Sequence, residues 1–190
     1  MLQRQVNQQS NPGIPGMFVS SSPRAFALAG PGGLVVSSSV QTGIKAGNWC
    51  WFEDSHQDPN GAPTGVIDRS PTPDDYTPPI GLFLVEGHVG SFLYPEDVAS
   101  MHCPPGRAIE IATAAEVWLR HVGNAAVVPG QIAWVRSKDG ATAFSDAGTP
   151  PTGNPPLAPE LWIPMDRWVA RSACEPGPYA QVKASNVDFL

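Results

Sequence analysis

The sequence predicts an all-β, loop-rich domain of the sandwich or barrel kind, and three observations carry that expectation. The 22 prolines and 19 glycines make up more than a fifth of the 190 residues. Proline removes a helix donor and glycine costs backbone entropy, so long helices do not survive that density. Apolar residues recur in short alternating runs, Ile109 with Ile111 and then Val117 with Leu119, which is the period of a half-buried strand. A small residue or proline followed by glycine precedes several such runs: Ala46-Gly47 before Trp49, Pro105-Gly106 before Ile109, Pro129-Gly130 before Ile132, and Pro176-Gly177 before Tyr179. Pro-Gly suits the centre of a type II turn, whose second residue needs positive φ. The units are spaced too irregularly for a solenoid and suit successive hairpins.

A chain of this length reads as one domain with a substantial core. Hydrophobic residues are 42%, charged residues only 15%, and the net charge is −6. An acidic chain lacks the basic patch that displaces counterions, so nucleic acid is not an expected partner. The longest apolar run, Ile80 to Val85, is far too short to cross a bilayer, so no membrane is expected either. No secretory signal is read, because Arg4 is followed by polar residues rather than an apolar core. Cys50, Cys103 and Cys174 are odd in number and widely spaced, which predicts reduced thiols rather than a disulfide scaffold.

Taken in order, residues 1–21 read as an extended arm and residues 22–190 as a single β-domain. The arm is rich in Gln, Asn, Ser, Gly and Pro and cannot bury enough surface to fold alone. It is either a loose terminus or an arm ordered only by a neighbouring subunit, with Phe18 as the anchor. Ser20 to Val36 joins arm to body. Pro23 biases Ser22 to extended backbone, Phe26 and Leu28 follow Arg24 at a spacing of two, and Gly30-Pro31-Gly32-Gly33 permits unusual backbone angles before Leu34-Val35-Val36 restarts as a strand.

From Val40 to Phe52 the pattern is strand-like: Val40, Thr42 and Ile44 alternate, and Trp49 and Trp51 share a face. Asp58-Pro59-Asn60-Gly61 signals a turn. Gly65 to Arg69 reads as a short strand, and Ser70 to Pro79, with four prolines, as a loop. Ile80 to Glu86 and Ser91 to Tyr94 are further strands, and Pro95 to Ser100 suits one helical turn. Trp118 falls on the opposite face from Val117, so both faces of that strand are expected to be covered. Ser145 to Pro159, with five prolines, is a long loop of the kind that often carries function. Tyr179 to Val182 reads as a further strand, and Val187 to Leu190 closes the chain as a last strand or a sticky tail.

No catalytic or metal-binding pattern emerges. His56, His88, His102 and His121 include no H-x-H or H-E-x-x-H spacing, and the cysteines no C-x-x-C. No G-x-S-x-G is present, and the carboxylates have ordinary surface composition. The expectation is therefore no enzyme, no cofactor and no metal. Of the six tryptophans, most are expected in the core. Trp162 is the candidate for an exposed protein-contact or sugar-stacking ring, because prolines are expected to hold its segment out in an irregular region.

The run Ser22-Pro23-Arg24-Ala25-Phe26-Ala27-Leu28-Ala29-Gly30-Pro31-Gly32-Gly33-Leu34-Val35, followed by Thr42-Gly43-Ile44-Lys45-Ala46-Gly47-Asn48-Trp49-Cys50-Trp51, resembles the opening of the structural cement proteins of tailed bacteriophages. Those open with a polar arm, N-P-R-x-x-x-L-A-G-P-G-G-L-V and G-x-x-x-G-x-F/W-x-W. Ser22 stands where the family often has Asn, and Trp49 where Phe is common. Gly65-Val66-Ile67-Asp68-Arg69 and Gly130-Gln131-Ile132-Ala133-Trp134 extend the similarity.

The resemblance implies a jelly-roll-like β-sandwich. It also implies a non-enzymatic protein on the outer surface of an expanded capsid, at junctions between major capsid protein subunits. Expected contacts to capsid or neighbouring copies are Phe18, Arg24, Phe26, Leu28 and Trp162, with a dimer favoured over a trimer. Deleting residues 1–21 is expected to leave the β-domain folded but to abolish stable capsid binding. The alternative is a β-sandwich carbohydrate-binding module, displayed on a virion or secreted, that depends on Trp162.

Overall fold

Glycines in the left-handed region set where the chain reverses. Gly47 (φ 82°), Gly106 (φ 75°) and Gly130 (φ 99°) take the conformation their preceding Ala or Pro predicts. Gly177 does not take positive φ, so Pro176-Gly177 makes a bend instead of a type II turn. The Asp58 turn forms as expected: its carboxylate accepts from the Asn60 and Ala62 amides, and Gly61 has φ 83°.

A computed structural model describes residues 15–19, 24–28, 33–72, 76–84, 101–151, 161–177 and 180–186. Every regular element among them is a strand. These are β1 (Ala25–Phe26), β2 (Val35–Val36), β3 (Ile44–Lys45), β4 (Trp49–Phe52), β5 (Gly65–Ile67), β6 (Gly81–Phe83), β7 (His102–Cys103), β8 (Ile111–Ala114), β9 (Glu116–Arg120), β10 (Ile132–Arg136), β11 (Thr142–Ser145), β12 (Trp162–Ala170) and β13 (Gln181–Ser185). The expected strand at Ser91 to Tyr94, the helical turn at Pro95 to Ser100 and the strand at Val187 to Leu190 lie outside the described residues.

The strands form a six-stranded sheet in the order β1-β8-β6-β4-β5-β2, a five-stranded sheet in the order β11-β10-β12-β13-β9, and a two-stranded ribbon of β3 and β7. Pairing is antiparallel except between β2 and β5. The two large sheets do not close into a barrel and share one core, so of the two architectures the sequence allows this is the sandwich, which fits a jelly roll. Trp49 of β4 meets Trp168 of β12 edge to face across the layers, with ring centroids 5.3 Å apart. The Trp49 indole N–H donates to the Thr142 hydroxyl of β11 at 2.9 Å, so a ring of the first sheet is pinned to the second.

One strand path crosses between the layers. β8 ends at Ala114 in the six-stranded sheet and β9 starts at Glu116 in the five-stranded one, with Ala115 fully buried at the corner. Asn186 clamps that corner: its side-chain carbonyl accepts from the Ala115 amide and its side-chain amide donates to the Thr113 carbonyl. On β9, Val117 and Leu119 are buried and Trp118 is half-buried under the Lys183 ammonium, so both faces are covered as expected.

Two local expectations are corrected. Val40 and Thr42 lie in successive turns rather than a strand, because Val40 N–H donates to Ser37 and Gly43 N–H to Val40. The alternation there places Val40 and Ile44 in the core without a partner strand spanning the segment. Residues 162–170 form one nine-residue strand rather than an irregular segment. Its register on β10 jumps between Ile132↔Val169 and Ala133↔Met165, a bulge that leaves Asp166 and Arg167 exposed.

Candidate functional site

The N-terminal segment binds along the crossing strand path. Gly16 N–H donates to the Trp118 carbonyl at 2.8 Å, Trp118 N–H to Met17 at 2.9 Å, and Val19 N–H to Glu116 at 2.9 Å, with Phe18 bridged to Val117. Beyond the corner, Ala25 and Phe26 pair with Ala114 and Ala112 of β8, and Ala27 N–H donates to Ile111 at 2.8 Å. Residues 16–19 therefore run antiparallel to β9 and residues 25–27 antiparallel to β8, at the edges of the two sheets. We call this segment the strap.

The start of the strap is seated by contact as well as by hydrogen bonds. A methyl group at Gly16 would lie 2.7 Å from the Gly47 nitrogen and 3.0 Å from the Ala46 carbonyl carbon. Phe18 is half-buried against the main core, and the Arg24 guanidinium stands 3.5 Å from its ring centroid. The expectation that Phe18 is ordered only by a neighbour is thus corrected, since its ring packs on its own domain. Residues 15–19, placed in the arm by composition, pair with the domain that follows.

Farther along the strap the apolar side chains face outward. Ala27 packs against the core, while Phe26 is 38% and Leu28 95% exposed. Met17, not singled out in the sequence, is 40% exposed on the same segment. Because Ala27 N–H is spent on β8, strand alternation turns the N–H groups of Phe26 and Leu28 to the other edge of β1. Phe26 and Leu28 thus come together on one exposed edge, with Arg24 and Phe18 stacked beside it in the chain.

Trp162 does not join them. It opens β12 and is only 8% exposed, packed with Ile132, Trp134 and Ala143 in a separate apolar cluster, with the Arg136 guanidinium 5.7 Å from its ring centroid. The prolines before it do not hold it out, because its backbone pairs with Arg136 of β10. An exposed stacking platform at Trp162 is therefore corrected. Trp49, Trp51, Trp134 and Trp168 are buried too, as expected of core tryptophans.

Among the described residues, Glu53, His121, Cys50 and Cys103 sit in structural surroundings. Glu53 accepts from Ser37 and contacts His56 Nδ1 at 3.0 Å; the Ser37 hydroxyl foremost holds its carboxyl below the usual range. In that cluster the serine bonds the carboxylate and not the histidine, so the histidine does not activate it. His121 is buried, its Nδ1 accepting from Phe144 N–H and its Nε2 lying 3.0 Å from the Ala125 carbonyl. Burial lowers its pKa. The cysteines are free; burial pushes the Cys50 thiol up and that of Cys103 up to about 11, so neither is a ready nucleophile. Among the described residues no group of His, Cys, Asp or Glu side chains is arranged to hold a metal.

A seated strap with an apolar outward edge is suited to holding another protein surface. The family model described as structural cement protein (E217 gp24/Pam3 gp6) matches residues 2–182. No curated protein matches the sequence.

Proposed function

The chain belongs to the phage structural cement protein family, and from that premise we propose that it binds the outer surface of an expanded capsid at junctions between major capsid protein subunits. The coarser role follows from the family: a structural protein of the virion that stabilises the capsid. The observation that supports the finer reading is the strap, a backbone-pinned segment on a rigid sandwich that turns Phe26 and Leu28 to solvent. Such a module binds with little ordering cost, because the contact side chains sit on a strand already held in place. A ligand that binds only the assembled shell stabilises it by mass action, and many copies multiply a modest energy per site.

Phe26 and Leu28 make the direct contacts in this reading, while Phe18 and Arg24 hold the strap at the correct height. Contact between neighbouring copies, as a dimer first and a trimer second, completes the proposal. The carbohydrate-binding reading loses its ring, since Trp162 is buried.

The test is co-sedimentation with expanded shells lacking the protein, beside unexpanded procapsids. Saturable binding to expanded shells alone is expected; equal binding to procapsids, or none to either, would overturn the reading.

A further inference from the structure

We propose that His121 is a proton-operated latch joining the two outermost strands of the five-stranded sheet, and that acid parts this seam locally while the rest of the sandwich stays folded. The inference goes beyond the capsid-binding reading and does not depend on it. In the sheet order β11 and β9 lie at opposite ends, yet the chain leaving β9 meets β11 at one point. His121 bridges Thr142 in parallel, Val122 N–H donates to the Thr142 carbonyl at 2.9 Å, and Phe144 N–H donates to His121 Nδ1 at 3.2 Å. At Phe144 the imidazole therefore stands where a neighbouring strand would supply a carbonyl. The Thr142 hydroxyl also accepts the Trp49 indole N–H, so the latch sits on the residue that ties the two sheets.

The seam fits one protonation state of the ring. Nδ1 accepts from Phe144, so Nε2 carries the hydrogen and donates to the Ala125 carbonyl at 3.0 Å. A proton added at Nδ1 sets two donors against each other, and the Phe144 bond is lost. The surroundings give the cation no countercharge. β11 presents Thr142 and Phe144, the turn from Val122 to Ala125 is uncharged, and the Ala180 carbonyl ahead of β13 is taken by the His121 backbone N–H. Arg120, exposed in the cleft beside the ring, is itself a cation. The ring has no room to turn away on the Gly123 side, where a methyl group would lie 2.5 Å from its Cε1. It gains a proton only as the seam parts, and the cleft over it, about 440 Å³ in volume, opens that point to water.

Native-state hydrogen exchange of the full chain, read by NMR as pH and low urea are varied and corrected for intrinsic exchange rates, tests the latch. The parted ring titrates near its ordinary 6.5 and the latched ring below it, so opening takes up a proton in that window. Protection at the Phe144 and Val122 amides is expected to be steady above about pH 6.5 and to fall about tenfold per pH unit below it. That exchange is expected to ignore low urea, because parting the seam exposes little surface. The Ala170 amide, bonded to the Gln131 carbonyl within the same sheet, is expected to stay better protected and to follow the urea dependence of global unfolding. In His121→Asn, whose side-chain carbonyl accepts without titrating, the pH dependence at Phe144 and Val122 is expected to vanish; a folded variant that keeps it overturns the latch. The parent decides alone if that variant does not fold. Exchange at Phe144 and Val122 that matches Ala170 in rate and urea dependence, or that ignores pH, overturns the latch. So does a neutral ring whose nitrogen shifts place the hydrogen on Nδ1.

Discussion

Gly16 and Gly47 approach so closely that neither has room for a methyl group: a Cβ on one would lie within 3.0 Å of the other's backbone nitrogen. Both also hold positive φ, so Gly16→Ala combines a clash with backbone strain. It is expected to cost about 1–3 kcal/mol in urea unfolding and to remove hydrogen-exchange protection at Gly16 and Trp118, whose amides close that end of the strap. Phe18→Ala removes a half-buried ring and the contact of the Arg24 guanidinium, at about 1–2 kcal/mol by the same measurement.

His121 sets an acid limit. Its neutral ring accepts at Nδ1 from Phe144, and burial holds its folded pKa below the ordinary 6.5. The unfolded chain therefore binds the proton more readily, so this contribution is fully present above about pH 6.5 and is lost as pH falls toward the folded value. Glu53, lowered chiefly by Ser37, adds a second loss below its ordinary 4.5. Unfolding free energy measured against pH is expected to fall as the pH drops below about 6.5, and His121→Gln to flatten that part of the curve. An unchanged slope in the variant would contradict the assignment. The buried environment of His121 was not legible from its neighbours in sequence, because Phe144 and Ala125 meet it only through the fold. The burial of Val117 and Leu119 was legible, since alternation alone dictates it.

At the scale of elements, the strap both edges the sheets and carries the exposed apolar side chains of Phe26 and Leu28. The β9 edge that it covers would otherwise present unpaired backbone groups. Deleting residues 1–21 removes Phe18 and the hydrogen bonds from Gly16 to Val19, so the β-domain is expected to fold with about 2–4 kcal/mol less stability. This adds to the expectation that the domain stays folded: the truncated chain should melt earlier by calorimetry and self-associate through the bared edge. An unshifted melting temperature would show that the strap contributes nothing to the fold.

Turn chemistry made most strand starts readable, because Gly47, Gly106 and Gly130 need the φ that Ala-Gly and Pro-Gly turns supply. Pairing was not readable. Nothing in the short run from Pro15 to Val19 distinguishes a loose arm from a segment whose partner strand lies about a hundred residues away. Trp162 was misread for a related reason: proline density marks the approach to β12, whereas the strand itself tolerates Pro164 opposite Trp134. The outward pair Phe26 and Leu28 was legible, since a spacing of two puts both on one side of an extended chain.

For the whole molecule, the architecture fits a clamp. Two sheets share one core, Trp49 ties them together, and the strap edges both, so force on the strap is spread across the sandwich. Low charge and a folded contact strand reduce the desolvation and ordering costs of docking. In the proposed reading, binding to the assembled shell alone makes shell stability depend on the concentration of this protein, rising until sites are filled. The direct measurement is the calorimetric melting temperature of expanded shells, lacking the protein, as purified full-length chain is added. The account predicts a rise that saturates with site occupancy; a melting temperature independent of added protein would contradict it.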